Sequence, residues 1–261
     1  MEPVLLERRG ALAVVSINRP DSRNSLDTAV KVALRDTLRA VADDEEVRAV
    51  VLTGTGGHFC AGQDLKEHAE ALRGDVRTVF DTVDEHYSPI VRTLTTMPKP
   101  VVAAIEGACV GAGLGFALAC DLRVFSSAAK LGTAFTAIGL TCDSGLAQSL
   151  PRAVGESRAR ELVLTAEPFS VEQAIAWGIG GRVVDAGAAL EAAVALGERF
   201  AQGPTLAYAE SKRLIALAAT ASLDDVLDAE SAAQQRLGLT SDHAGAVQSF
   251  LAKRQPTFDG R

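Results

Sequence analysis

The chain has 261 residues, 48% of them hydrophobic and 23% charged, a composition that fits a folded globular protein and argues against disorder. Its 33 Asp and Glu against 26 Lys and Arg give a net charge of -7, which excludes a nucleic-acid sheath or a charge-driven coat for anionic membranes but leaves room for a small anionic ligand held by a local basic cluster. No apolar run approaches the roughly 18 residues of a spanning helix, and the N-terminus lacks the apolar core of a secretory signal, so the expectation is a soluble, cytoplasmic protein.

The chain opens with a β-hairpin, Val4 to Arg8 and Ala11 to Asn18 about a turn at Arg9-Gly10. Leu26, Val30, Leu34, Leu38 and Val41 then recur at nearly every fourth position and predict an amphipathic helix. The acidic run Asp43 to Glu46 reads as a solvated turn, and Val47 to Thr53 as a buried strand broken by Gly54, Gly56 and Gly57. Gln63 to Met97 is polar and helix-compatible but interrupted by Gly74 and Pro89. Val101 to Glu106 and Asp121 to Ser126 predict two further buried strands, with a helix over Gly111 to Cys120 between them. This alternation implies a parallel sheet with crossover helices.

Beyond residue 144 the pattern becomes almost wholly helical. Ser170-Val171-Glu172-Gln173 and Ser222-Leu223-Asp224-Asp225 mark helix starts, and Gly203-Pro204 marks a break. The fold class is α/β, with residues 1–200 as the core and 201–261 as a helical end. Cys60, Cys109, Cys120 and Cys142 fit neither a CxxC pair nor a zinc framework, and read as reduced, mostly buried side chains. The four histidines, His58, His68, His86 and His243, have no metal-ligand spacing and read as surface residues.

Three segments can carry chemistry. Gly54 to Leu65 is a glycine-rich loop that can bring backbone N–H groups to an anion, or can be a plain turn; it lacks the Gly-Lys-Ser/Thr ending of a phosphate-binding P-loop. Gly107 to Phe116 follows a strand and opens a helix, but Phe116 stands where a dinucleotide fingerprint needs its third glycine, and the acid expected further on is missing. A helix N-terminus with free N–H groups remains. Ile138 to Gly145 puts an acid before a helix, and the residues alone favour Asp143 or Ser144 as a cap of that helix. No G-x-S-x-G elbow exists for a serine hydrolase.

In this order the segments resemble the enoyl-CoA hydratase/isomerase family, the crotonase superfamily. The matches are Ile17-Asn18-Arg19-Pro20 with Asn24-Ser25-Leu26, Phe59 to Leu65, Lys99 to Gly107, Gly111-Ala112-Gly113-Leu114, Cys120-Asp121, Leu150 to Gly155, Ala174 with Trp177-Gly178, and Phe250 to Arg254. The resemblance implies a spiral of ββα units, a C-terminal helical trimerisation region, assembly as a trimer or a hexamer, and a CoA thioester substrate, with coenzyme A part of that substrate and no further cofactor or metal.

Carried over residue by residue, the resemblance makes the N–H groups of Gln63 and Ala112 an oxyanion hole. It puts Arg23, Ala61, Gln63 and Leu65 around CoA, with Phe250 and Lys253 arriving from a neighbouring subunit. Water-adding members use two glutamates, which in register fall at Gly115 and Phe135; both positions are read here as acyl-pocket wall. Asp143 is the acid/base in a subgroup that includes the ring-epoxyphenylacetyl-CoA isomerases, although Cys142 replaces a common proline. An isomerase is therefore expected over a hydratase. The other readings are an acyl-CoA-binding protein without activity and an aromatic acyl-CoA dehalogenase with Asp143 as nucleophile, the latter weakened by Phe135 in place of a tryptophan. The 66–97 region is expected to wall the acyl pocket.

Overall fold

The structure is a computed structural model that describes residues 2–261. The hairpin forms as β1 (Val4–Arg9) and β2 (Leu12–Ile17), followed by helix α1 (Thr28–Asp43), whose N-cap Asp27 accepts from the Val30 N–H. Leu26 belongs to the apolar stripe but lies before the cap. Next come β3 (Ala49–Gly54), α2 (Leu65–Ala71), a π-helical turn Val83–Tyr87, α3 (Ser88–Thr96), β4 (Val101–Ile105), β5 (Ala108–Val110), α4 (Ala112–Ala119), β6 (Leu122–Ser126) and β7 (Lys130–Gly132). The chain continues through α5 (Leu146–Val154), α6 (Glu156–Thr165), β8 (Phe169–Ser170), α7 (Val171–Trp177), β9 (Arg182–Val184) and α8 (Ala189–Ala201). It closes with α9 (Thr205–Ala218), α10 (Leu223–Gly238) and α11 (Ser241–Leu251).

The main sheet runs β1-β2-β3-β4-β6-β9, parallel from β2 onward, and β5-β7-β8 form a second, smaller sheet. Strands buried on both faces read as continuous apolar runs, and period two then sorts their residues to opposite sides. Ala13, Val15, Val50, Leu52, Val101 and Ala103 join the core beneath α1, α3 and α4. Leu12, Val14, Ala49, Val51, Val102 and Ala104 face α8. Gly197 lets α8 close on the sheet, since a Cβ there would lie 2.8 Å from a Leu12 methyl.

The parallel sheet with crossover helices agrees with the sequence expectation, as do both capping boxes at Ser170 and Ser222. The almost wholly helical reading beyond residue 144 holds except for two short strands. β9 extends the main sheet at its edge, and β8 pairs antiparallel with β7. Strands of two and three residues are too short to show an alternation, and their pairing partners lie far away in sequence.

Candidate active site

The Gly54–Leu65 loop is fixed by Asn24, which is fully buried and donates to the carbonyls of Thr55 and His58 at 2.8 and 2.7 Å. Beyond it, the Cys60 N–H donates to Ala108 O and the Val110 N–H donates to Cys60 O, both at 2.9 Å, which zips the loop to β5. On the other side, the Leu26 N–H donates to Gly62 O at 2.8 Å and the Asp64 N–H donates to Leu26 O at 3.1 Å. This parallel bridge uses the groups on either side of Gln63, so the Gln63 N–H points the opposite way, away from Leu26.

Gly111, at φ +58°, turns the chain from β5 into α4, and Ala112 is the first helical residue, whose N–H has no intrahelical acceptor. The two turns touch. A Cβ on Gly62, where φ is +83°, would stand 3.0 Å from Val110 O and 3.7 Å from the Ala112 N–H. Glycine at both turns is what lets the backbone at Gly62, immediately before Gln63, close on the turn that leads into Ala112. Neither N–H has a hydrogen-bond acceptor among the described residues.

Both residues line a cavity of about 360 Å³. Its walls come from Ala61 and Leu65, from Phe80, Val83 and Tyr87, and from Phe135, Ile138 and Leu140, with Asp143 at one side. The 66–97 region thus does form part of the wall. Ser144 Oγ donates to Asp143 Oδ1 at 2.7 Å. Burial pushes the Asp143 carboxyl above the usual carboxylate range, and the Ser144 hydrogen bond only partly offsets this.

Gly115 does not line this cavity, contrary to expectation. It faces the back of the Asp143 loop, where a Cβ would meet both the Cβ and the carbonyl oxygen of Ser144 at 2.6 Å. The missing side chain at 115 is filled by the segment that delivers Asp143. Phe135 does line the cavity, with its ring tip close to Gly111.

Arg23 is exposed, and its carbonyl accepts from the Ala61 N–H at 3.1 Å, which ties its backbone to the loop that holds Ala61, Gln63 and Leu65. Phe250 and Lys253 lie on the end of α11 and just beyond it, both exposed, and neither lines the cavity. The surface reading of the histidines fails at His86, which is buried against Thr82 with its pKa lowered by burial. It also fails in part for His58, whose ring nitrogen accepts from the Ala108 N–H at 3.1 Å, and for His68, which lines the cavity. Sequence reasoning passed over Tyr87 altogether; a lone tyrosine in a polar, proline-interrupted stretch carries no pattern.

Two free amides beside a lone carboxylate in an apolar cavity are the equipment of an enzyme that lets negative charge develop on a carbonyl oxygen. The chain belongs to the enoyl-CoA hydratase/isomerase family, whose profile matches residues 7–261, and so to a group of acyl-CoA-processing enzymes. It is 36% identical to the 1,2-epoxyphenylacetyl-CoA isomerase of Escherichia coli over 100% of both chains, and 31% identical to the 2,3-dehydroadipyl-CoA hydratase of the same organism, again over 100% of both. Among solved structures, an enoyl-CoA hydratase/isomerase-type protein from Mycobacterium abscessus shares 47% identity with a TM-score of 0.96, covering 99% of this chain and 100% of its own. An enoyl-CoA hydratase from Polaromonas sp. JS666 superposes with a TM-score of 0.92 at 30% identity, over 98% and 99% of the two chains. The α/β fold is the crotonase fold of these neighbours. Among the described residues no helix is long and apolar enough to cross a membrane.

Proposed function

We propose that the protein is an acyl-CoA isomerase in which Asp143 is the single acid/base and the N–H groups of Gln63 and Ala112 hold the thioester oxygen. The observation that carries this reading is the pairing of one half-buried carboxylate, its pKa raised by burial, with two unengaged amides on the same cavity, while the two glutamate positions of water-adding relatives hold Gly115 and Phe135. On a β,γ-enoyl-CoA, Asp143 takes a proton from the carbon next to the thioester. The C–H electron pair becomes a dienolate whose charge rests on the thioester oxygen, and the same proton returns to the γ-carbon, leaving the double bond conjugated. One base that accepts and returns a proton suffices. Hydration needs a second group to activate water. The same enolate-stabilising pair suits the ring-epoxyphenylacetyl-CoA to oxepin-CoA rearrangement, and the similarity to the Escherichia coli isomerase supports that substrate class.

Arg23 is read as a partner of the CoA phosphates, with Ala61, Gln63 and Leu65 along the CoA part of the substrate and Phe250 and Lys253 delivered by a neighbouring copy. Residues 1–200 are then the CoA-binding core and 201–261 the assembly region. The test is Asp143→Asn assayed on a β,γ-enoyl-CoA and on an epoxyphenylacetyl-CoA, with an expected loss of about 10²–10⁴ in kcat. Retained turnover overturns the role of Asp143. Fast hydration of crotonyl-CoA by the unaltered protein would favour the hydratase reading, which the similarity to the dehydroadipyl-CoA hydratase keeps in view.

A further inference from the structure

We propose that Tyr87 is a positioning residue for the oxyanion pair, acting through its hydroxyl on the side chain of Gln63. The inference rests on the reading of the Gln63 and Ala112 amides given above. Tyr87 ends the π-helical turn that runs directly into α3, and it is 2% exposed, so its ring is anchored by a helix whose Ile90 and Leu94 are fully buried. Its hydroxyl donates to Gln63 Oε1, which is the only side-chain hydrogen bond of Gln63 among the described residues. Its ring meets Phe116 of α4 edge-on, with centroids 6.1 Å apart. Tyr87 therefore touches both supports of the pair: the residue that presents one amide, and the helix whose first residue presents the other.

The hydroxyl is suited to a permanent donor role. Burial, and next the charge of Asp143, push the phenol well above its ordinary range, so it keeps its proton throughout the working pH range. The buried Lys31 ammonium lies 5.8 Å from the ring centroid and is held by Glu67 at 3.6 Å, which fills the space on that side of the ring. The bridge to Leu26 engages Gly62 O and the Asp64 N–H but neither backbone group of Gln63. With a glycine at positive φ immediately before it, the Gln63 peptide has a soft torsion on one side, and the side-chain hydrogen bond restrains what the bridge leaves free. An oxyanion donor is effective only when its aim is fixed before charge develops.

The decisive comparison uses Tyr87→Phe, which keeps the ring and its contact with Phe116, together with Gln63→Met and the double variant. One readout is the red shift of a bound cinnamoyl-CoA, whose absorption moves as the thioester carbonyl is polarised; the other is kcat and KM for isomerisation. Tyr87→Phe is expected to shrink the red shift and to lower kcat about tenfold to a hundredfold with KM within about twofold. In the Gln63→Met background it should cost nothing further. An unchanged spectrum and kcat in Tyr87→Phe overturns the proposal, as does a full additional loss in the double variant, which would mean that the hydroxyl meets the substrate directly. If the unaltered protein polarises cinnamoyl-CoA without isomerising any acyl-CoA, the isomerase reading fails while the spectral arm still decides for or against Tyr87. If bound cinnamoyl-CoA shows no shift in the unaltered protein, the oxyanion pair and the role of Tyr87 fall together.

Discussion

Two aspartates show how residue-scale environment divides labour. Asp64 is buried, which raises its pKa, but the Arg19 guanidinium and the N–H groups of Lys66 and Glu67 more than reverse this and hold it below the usual range. It is an ionised cap for α2. Asp143 has burial opposed only by a hydroxyl and moves the other way. A carboxyl whose folded pKa is raised binds its proton more tightly folded than unfolded, so ionising it costs stability: the cost is absent below the unfolded value of about 3.9, grows as pH rises towards the folded value, and is complete above it. Asp143→Asn should therefore raise the melting temperature at neutral pH, with the gain shrinking in acid, as calorimetry at several pH values would show. A melting temperature that falls at neutral pH contradicts the burial argument. With Asp143 in the proposed role of base, the acid limb of the kcat/KM profile is expected above the ordinary carboxylate range, because the base must be ionised to accept a proton. The buried cysteines take no part: burial pushes the thiols of Cys60 and Cys120 up to about 12.

At the scale of elements, the site depends on how α4 meets its neighbours. Gly113 lets the helix press on Cys60 of the Gly54–Leu65 loop, and Gly115 lets it accept Ser144. A Cβ at 115 would lie 2.6 Å from a backbone oxygen, and that segment carries Asp143. Gly115→Ala should then destabilise the protein by about 1–3 kcal/mol in chemical denaturation and lower turnover by displacing the base. Gly115→Glu should not create a hydratase, because the carboxylate has no room unless the Asp143 loop leaves; measurable crotonyl-CoA hydration by that variant would contradict this packing. The Gly54–Leu65 loop and the helix N-terminus were legible as glycine-rich segments before any geometry. Their meeting was expected only through the family resemblance and not from any local pattern, since about fifty residues separate them and neither carries a periodic signal toward the other. Tyr87 was hidden for the same reason, and Gly115 was read on the wrong side of the loop because a register position says nothing about which way the space beside it opens.

For the whole molecule, the C-terminal segment returns to the core through Arg48, which donates to Thr205 Oγ1 at 2.8 Å and to Phe258 O at 2.9 Å, and also to Gly203 O. Lys212 of α9 adds a bond to Asp121 at 2.8 Å. The helical end is thereby oriented, yet Leu223, Leu239, Phe250 and Leu251 remain at least 70% exposed. Assembly through this region, as proposed, would take these large apolar side chains out of water. Gel filtration with light scattering is expected to give three or six times the mass of a single chain; a monomer at micromolar concentration would count against assembly through this region and against delivery of Phe250 and Lys253 to a neighbouring site.

By itself the sequence determined the α/β class, the main helix starts, the two glycine-rich segments and the lone acid at 143, because these are written in local periodicity, capping and residue order. Only the tertiary structure decided that Gly62 packs against the turn into α4, that Gly115 supports the Asp143 loop from behind, that His86 is buried and that Tyr87 holds Gln63. These depend on how distant segments pack, and on the water which that packing removes from a carboxylate; no local pattern encodes either.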